Sequence, residues 1–277
     1  MIRVKSHQYK GRYTNALVDA ALQFARTDLS SRLSDDPVEA AGVHTKANLT
    51  EAGGAVACSR ERDALELLQV SCDCAGALFA AISAPAGSQV TFPFRGAAIS
   101  GPAGKPGYGT GPAAWVTSLL LASALGRADT VATLTAVPAQ LFQDAPGERD
   151  ECFYHLVYAF QAFFLDEDVA EPLAEFERLS RPEHLKVATP RILERFRALG
   201  PALTAIVDKN QSSFTPALVG VLDAHKRAFG KGKEAASHAY LIDVHACGIA
   251  RIARGRGLQI EVESDYMPPW LLNASSP

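Results

Sequence analysis

The chain has few cysteines, no leader-like segment at its start and no long uninterrupted apolar run. Its five cysteines are scattered through 277 residues, and an odd, dispersed set is typical of free thiols in a reducing compartment. The first fifteen residues contain no apolar stretch after their positive charges, so they do not resemble a secretory signal. No run approaches the roughly 18 apolar residues that a membrane span requires. We therefore expect a cytoplasmic protein without a membrane span.

A strong charge of either sign is also missing. The net charge is −3 and the isoelectric point is about 6.2, whereas a general binder of nucleic acids or anionic membranes is usually basic. Nucleic acid and membrane lipid are therefore not the expected partners. Hydrophobic residues make up 48% of the chain, an ordinary globular value, and the length allows a large core to be buried. We expect a single domain over residues 1–277.

Apolar residues recur at helical spacing along most of the chain, and glycine and proline separate the helical stretches. The stretch that begins at Ala113 is apolar on all sides, so it should be central and should end at Gly126. Thr189-Pro190 and Thr215-Pro216 are each predicted to open a helix. The predicted helices are 13–33, 37–58, 61–82, 113–125, 150–165, 190–200, 216–230 and 234–254. The predicted fold is all-α or nearly so, a multi-helix bundle of stacked helical hairpins with about eight to ten helices.

Two segments depart from the helical pattern. Residues 84–112 are crowded with glycine and proline, and only the Val-Thr-Phe-Pro-Phe stretch at 90–94 has strand character. This region could form a short hairpin followed by a surface loop. Residues 258–263 alternate apolar and polar side chains, and we expect them to pair with 90–94 in a small C-terminal β element. The loop 84–112 would then separate an N-terminal layer, residues 1–83, from a C-terminal layer, residues 113–277.

No group of residues has the spacing of a known catalytic motif. The Gly-Lys-Gly-Lys segment at 230–233 lacks the lysine–serine or lysine–threonine pair of a phosphate-binding loop. His238, His245 and Cys247 lie close in sequence and leave a metal- or thiol-dependent hydrolase open as an alternative. Packed histidines and a buried structural thiol account for these residues more simply. We predict no enzymatic activity, no cofactor and no metal site.

Acidic residues are concentrated in one part of the chain. From Asp144 to Glu183 there are eleven acidic and three basic residues, so this stretch is far more negative than the rest. A solvated helix face is the common explanation for such a run. The functional alternative is an acidic surface for a basic partner. The residues proposed for it are Asp166, Glu167, Asp168 and Glu171, and the loop 84–112 is an equal competitor for the same role.

The last part of the chain resembles the immunity 49 family. The resemblance lies in a helix that ends His-Lys-x-aromatic, a long apolar helix, a strand, and a closing Glu-Ser-x-Tyr-aliphatic-Pro motif followed by two leucines. The matching residues are His225, Lys226, Phe229, Glu263, Ser264, Tyr266, Met267, Pro268, Leu271 and Leu272. Upstream, Trp115, Arg127 and Asp129 resemble a tryptophan-led helix that ends in Arg-Asp, although Ala128 separates the last two residues here.

This resemblance implies a predominantly helical cytosolic inhibitor that binds a cognate bacterial toxin encoded by a neighbouring gene. The toxin it implies is a nuclease, often of the HNH type, which fits an acidic surface because nucleases present basic clefts to phosphate. The motif residues are interpreted as structural, with Tyr266, Pro268 and Leu271 closing the end of the bundle and His225 on an apolar stripe. A helical adaptor that bridges other bacterial proteins remains a further alternative.

Overall fold

The structure, a computed structural model, describes residues 1–107, 109–144 and 150–273 and is mostly α-helical, as predicted. Four short strands accompany the helices within these ranges. The N-terminal half contains β1 (Ile2–Val4), α1 (Asn15–Thr27), α2 (Leu29–Asp35), α3 (Pro37–Ala57), α4 (Glu61–Ser83), β2 (Gln89–Phe94), β3 (Ala97–Pro102), α5 (Pro112–Leu125), α6 (Ala128–Thr135) and α7 (Gln140–Asp144). The C-terminal half contains α8 (Cys152–Phe164), α9 (Ala170–Leu179), α10 (Pro190–Arg197), α11 (Leu199–Val207), α12 (Gln211–Phe229), α13 (Val244–Gly255), β4 (Val262–Ser264) and α14 (Pro269–Leu272).

The two longest helices, α3 and α4, form the most extensive helix contact. Two glycines of α3, Gly53 and Gly54, lie against other parts of the chain and leave no room for a side chain. A Cβ atom on Gly53 would lie 2.0 Å from the backbone oxygen of His238, and one on Gly54 would lie 2.5 Å from the Tyr13 ring. Either replacement would therefore force neighbouring elements apart.

Helix α5 is the centre of the bundle. It is apolar on every side and packs against α13, α6 and α8. Trp115 is fully buried, and its indole N–H donates to the backbone oxygen of Leu134 at 2.9 Å. Gly126 adopts the left-handed conformation (φ 69°) directly after Leu125, so the predicted end of this helix is confirmed.

Helix α4 is long and apolar enough to cross a membrane by length and composition, contrary to the expectation from sequence. In the fold, 72% of its most apolar window is buried inside the protein. This degree of burial is typical of a core helix.

Several helix boundaries differ from the prediction because other residues cap the helices. Helix α12 begins at Gln211, where the Asn210 side chain accepts a hydrogen bond from the Ser213 N–H at 3.1 Å. The predicted start at Thr215-Pro216 is wrong, since Pro216 lies inside the helix. The segment 190–200, predicted as one helix, is divided between α10 and α11, and Gly200 lies within α11 rather than at an end.

The prediction for the last long helix is wrong at its start. Residues Glu234–Ala236 and His238–Tyr240 form two short 3₁₀ turns, and α13 begins only at Val244. Asp243 sets this boundary, because its Oδ1 accepts from the His245 N–H at 3.1 Å. The predicted first helix is likewise two helices, α1 and α2.

The strand pairing also differs from the prediction. Strand β4 pairs in parallel with β1, Ile2 opposite Val262 and Val4 opposite Ser264. The 90–94 stretch lies in β2, which pairs with β3 in an antiparallel hairpin. The hairpin alternative for this region is therefore the one that the structure contains. A local hairpin needs only a two-residue turn, whereas pairing with β4 would have required a distant partner.

Candidate functional site

The four acidic residues proposed for partner binding lie on the turn between α8 and α9 and the start of α9. All four side chains are exposed. Asp166 has a positive φ of 54° and pairs with Arg256 at 2.9 Å. The Asp168 carboxylate accepts from the Ala170 N–H at 2.9 Å, at the beginning of α9. We call Asp166, Glu167, Asp168 and Glu171 the acidic turn.

Exposed apolar side chains lie beside the acidic turn. Leu165 is 56% exposed and directly precedes Asp166. Val207, which is 42% exposed, lines a small cleft of about 160 Å³ together with Asp166 and Glu167. Basic groups of Lys209 and Arg256 line the same cleft. The surface therefore presents apolar side chains next to carboxylates, of which Asp166 is paired with Arg256, and protein interfaces likewise combine apolar side chains with a polar rim.

The residues of the C-terminal motif lie in a different place, at the end of the bundle where the two chain ends meet. Tyr266 is fully buried, and its hydroxyl accepts from the His7 backbone N–H at 2.8 Å. The same hydroxyl lies 2.6 Å from His7 Nδ1, to which it can donate. His225 packs edge-on against Tyr266, with 4.8 Å between the ring centroids, and against Phe229 at 5.1 Å.

The remaining motif residues hold the N-terminal segment and close the bundle. Lys226 donates to the Lys5 backbone oxygen at 2.7 Å, and Ser264 lies in the parallel pair with β1. Pro268, Met267, Leu271 and Leu272 are buried, whereas Glu263 is exposed. In this position the residues pack within the fold, Lys226 is partly exposed and Glu263 is exposed to solvent.

A cluster of buried polar groups lies beneath the motif, and sequence reasoning missed it as a unit. Its centre is Asp243, which is 1% exposed and lies 3.5 Å from His225 Nδ1 and 3.9 Å from Arg195 Nη2. Arg195 in turn lies over the Phe229 ring at 4.7 Å. His245 joins the cluster and approaches Thr117 at 3.0 Å. One sequence signal was available, since Asp243 stands directly before an apolar helical run, as an N-cap does.

The charges in this cluster depend on one another. Burial alone would raise the pKa of Asp243, but His225 and Arg195 lower it below its ordinary value. Burial, reinforced by Arg195, lowers the pKa of His245 to about 3. His245 is therefore neutral at physiological pH, and the carboxylate of Asp243 faces Arg195 as its charged partner.

Comparison with known protein families assigns the chain to one of them. Residues 57–271 match the family of Immunity protein 49. The chain belongs to the Immunity protein 49 family. Comparisons with curated proteins and with solved structures give no match. The family match contains the acidic turn and the C-terminal motif as far as Leu271, and it leaves out the N-terminal segment that contacts the motif residues.

The upstream motif of the Immunity protein 49 family match connects three elements. Arg127 bonds Asp73 of α4 at 2.8 Å and Asp129 of α6 at 3.2 Å. Ala128, the departure from the expected Arg-Asp pair, is the first residue of α6. The insertion therefore does not prevent the two residues from pairing.

The residues of the enzymatic alternative do not come together as a catalytic group. His238 packs against Tyr13 with ring centroids 4.2 Å apart, whereas His245 packs against Phe196. Burial raises the pKa of the Cys247 thiol well above its ordinary value, and a protonated buried thiol is a poor nucleophile. In the described parts of the chain, no group of three or more His, Cys, Asp or Glu side chains is placed to hold a metal ion.

Proposed function

We propose that this protein neutralises a cognate bacterial toxin by forming a protein–protein complex with it in the cytoplasm. The observation that carries the proposal is the family match, which covers residues 57–271. A nuclease is the toxin class that we propose, and a neighbouring gene is its proposed source. Steric or electrostatic occlusion of the toxin requires only a stable interface, so the proposal assigns no catalytic role to any residue.

The acidic turn is the proposed contact surface. A nuclease binds phosphates through lysine and arginine side chains, and an acidic surface on the inhibitor complements such a cleft. Arg256 compensates part of the charge of Asp166, so Glu167, Asp168 and Glu171 supply most of the free negative charge. Leu165 adds an exposed apolar side chain that a partner can desolvate at the centre of the interface.

The function is tested by co-expression with the toxin gene found beside the immunity gene. We expect survival when both genes are expressed and growth arrest with the toxin alone. If the protein binds the neighbouring gene product but does not prevent growth arrest, the adaptor alternative is favoured instead.

The contact surface is tested by reversing the four acidic residues to lysine. Electrostatic steering predicts an association rate lower by about tenfold or more at low salt and a weaker salt dependence. The matched control reverses four exposed acidic residues elsewhere, Asp28, Asp35, Glu61 and Glu183. If both quadruple variants associate at the same rate, the acidic turn is not the contact.

A further inference from the structure

A second surface, distant in sequence from the acidic turn, has the features of a binding cleft. Its volume is about 1000 Å³. The walls are α4, the tip of the β2–β3 hairpin at Arg95 and Gly96, and the corner between α5 and α6. Leu65 and Pro93 contribute apolar surface to it. The cleft therefore offers apolar walls and charged side chains to the same occupant.

The mouth of the cleft carries excess positive charge. Glu66 accepts hydrogen bonds from Arg26 at 2.8 and 2.6 Å and from Arg95 at 3.1 Å. Two guanidinium groups therefore share one carboxylate. Arg62 is exposed and forms no ion pair with any residue that the structure describes. Across the whole lining of the cleft, four arginines stand against three carboxylates, and Arg62 is the arginine left over once the ion pairs are formed.

The corner between α5 and α6 contributes a network of ion pairs to the cleft. Arg127 bonds both Asp73 and Asp129, at 2.8 and 3.2 Å. Asp73 also accepts from the Arg95 backbone N–H at 2.8 Å, and its side chain is only 4% exposed. Asp73 is therefore shielded from a partner, whereas the Asp129 side chain is 52% exposed and has Arg127 as its counter-charge.

Arg95, at the tip of the hairpin, has a backbone conformation that is unusual for an arginine. Arg95 and Gly96 have φ angles of 51° and 78°, as in a two-residue turn that favours asparagine and glycine at these positions. A side chain is crowded in this left-handed region. Asp73 holds the backbone N–H of Arg95 and Glu66 holds its guanidinium. The turn therefore fixes an arginine at the mouth of the cleft.

We propose that this cleft is a contact surface for an acidic segment of the partner protein. One or two carboxylates of that segment bind Arg62 and Arg95 at the mouth, and a neighbouring apolar side chain packs on Leu65 and Pro93. This inference rests on the proposed function, because the partner that would supply the acidic segment is the toxin. The loop 84–112 was the alternative to the acidic turn as a partner-binding region. The proposal assigns to its hairpin the binding of carboxylates.

A peptide fits this cleft better than a nucleic acid does. A polyanion is held by many phosphate contacts in a broadly positive surface, whereas this chain has a net charge of −3 and three carboxylates in the lining of the cleft. The apolar side chains of Leu65 and Pro93 match the mixed character of a protein segment.

The first test replaces Arg62, which has no ion-pair partner in the described part of the chain. Arg62→Glu should slow association with the toxin about tenfold at low salt, because it reverses a rim charge without breaking an internal pair. The control is Arg12→Glu, which makes the same charge change at an exposed residue outside the cleft. Thermal unfolding of both variants checks that the fold is intact. An Arg62→Glu rate equal to that of wild type or of the control overturns the proposal.

The second test does not depend on a toxin. An N-acetylated hexaglutamate peptide is titrated into the full-length protein, and amide signals are followed by ¹H–¹⁵N NMR. We expect shifts at Arg95, Gly96 and Asp129 that Arg62→Glu abolishes. Absence of these shifts, or an equal response to inorganic phosphate or an oligonucleotide, overturns an acidic-peptide site. If the wild-type protein binds no toxin, the proposed function fails and this titration alone decides on the cleft.

Discussion

Replacement of Asp243 by alanine should destabilise this protein more than the loss of any ordinary helix cap. Asp243 performs two tasks with one buried carboxylate. It caps α13 by accepting from the His245 N–H at 3.1 Å, and it lies 3.9 Å from Arg195. The Arg195 side chain is only 16% exposed, so solvent cannot replace the lost carboxylate effectively.

The magnitude follows from these two tasks. Loss of the cap costs about 1 kcal/mol of the free energy of unfolding. Leaving a buried cation without its partner costs about 3 kcal/mol or more. Asp243→Ala should therefore cost about 4 kcal/mol. Asp243→Asn keeps an oxygen that can cap the helix, so it should recover about 1 kcal/mol of this loss.

Urea denaturation measures these differences, and α3 supplies a control. Asp36 caps α3 by accepting from the Glu39 N–H at 3.0 Å, but its side chain is exposed and has no charged partner among the described residues. Asp36→Ala should therefore cost about 1 kcal/mol. If Asp243→Ala lowers the free energy of unfolding no more than Asp36→Ala does, Asp243 is only a cap and the reasoning about Arg195 is wrong.

Local signals in the sequence were enough to predict most helices. The end of α5 at Gly126 and the start of α10 after Thr189 depend on residues within one turn of the boundary. The errors arose where two such signals competed. Thr215-Pro216 has the pattern of a helix start, but Asn210 caps α12 earlier and the helix continues through Pro216.

The β pairing was beyond the reach of local signals. Strand β1 has only three residues, too few to show alternation, and its partner β4 lies at the other end of the chain. A parallel pair between chain ends depends on the packing of everything between them. The sequence therefore predicted that residues 258–263 are extended, but it could not predict their partner.

The difference between local signals and contacts over long sequence distances also explains which candidate sites could be predicted. The acidic turn is contiguous in sequence, so composition alone located it, although whether it contacts a toxin stays a prediction. The buried cluster draws Arg195, His225 and Asp243 from three separate elements. The predicted helix 234–254 would have carried both His238 and His245, but the 3₁₀ turn at His238–Tyr240 precedes the cap of α13 and separates them.

Two further predictions concern packing and pH. Gly248→Ala should destabilise the fold by about 1–3 kcal/mol, because its Cβ would lie 2.4 Å from the Leu120 backbone oxygen; the control Gly220→Ala, with no atom within 4 Å, should be neutral or stabilising in the same urea assay. The second prediction is that acid destabilises the protein through His245, whose pKa is lowered to about 3, chiefly by burial. Below about pH 6.5 this histidine is protonated in the unfolded chain but stays neutral in the folded protein. The free energy of unfolding is therefore highest above that pH and falls by up to about 1.4 kcal/mol per pH unit between about pH 6.5 and 3. Burial also lowers the pKa of His7, which adds to the loss in the same direction. Urea midpoints at about pH 7.5 and 5.5 measure the effect, His245→Gln should reduce the difference, and equal midpoints for the wild-type protein would show that no buried neutral histidine contributes.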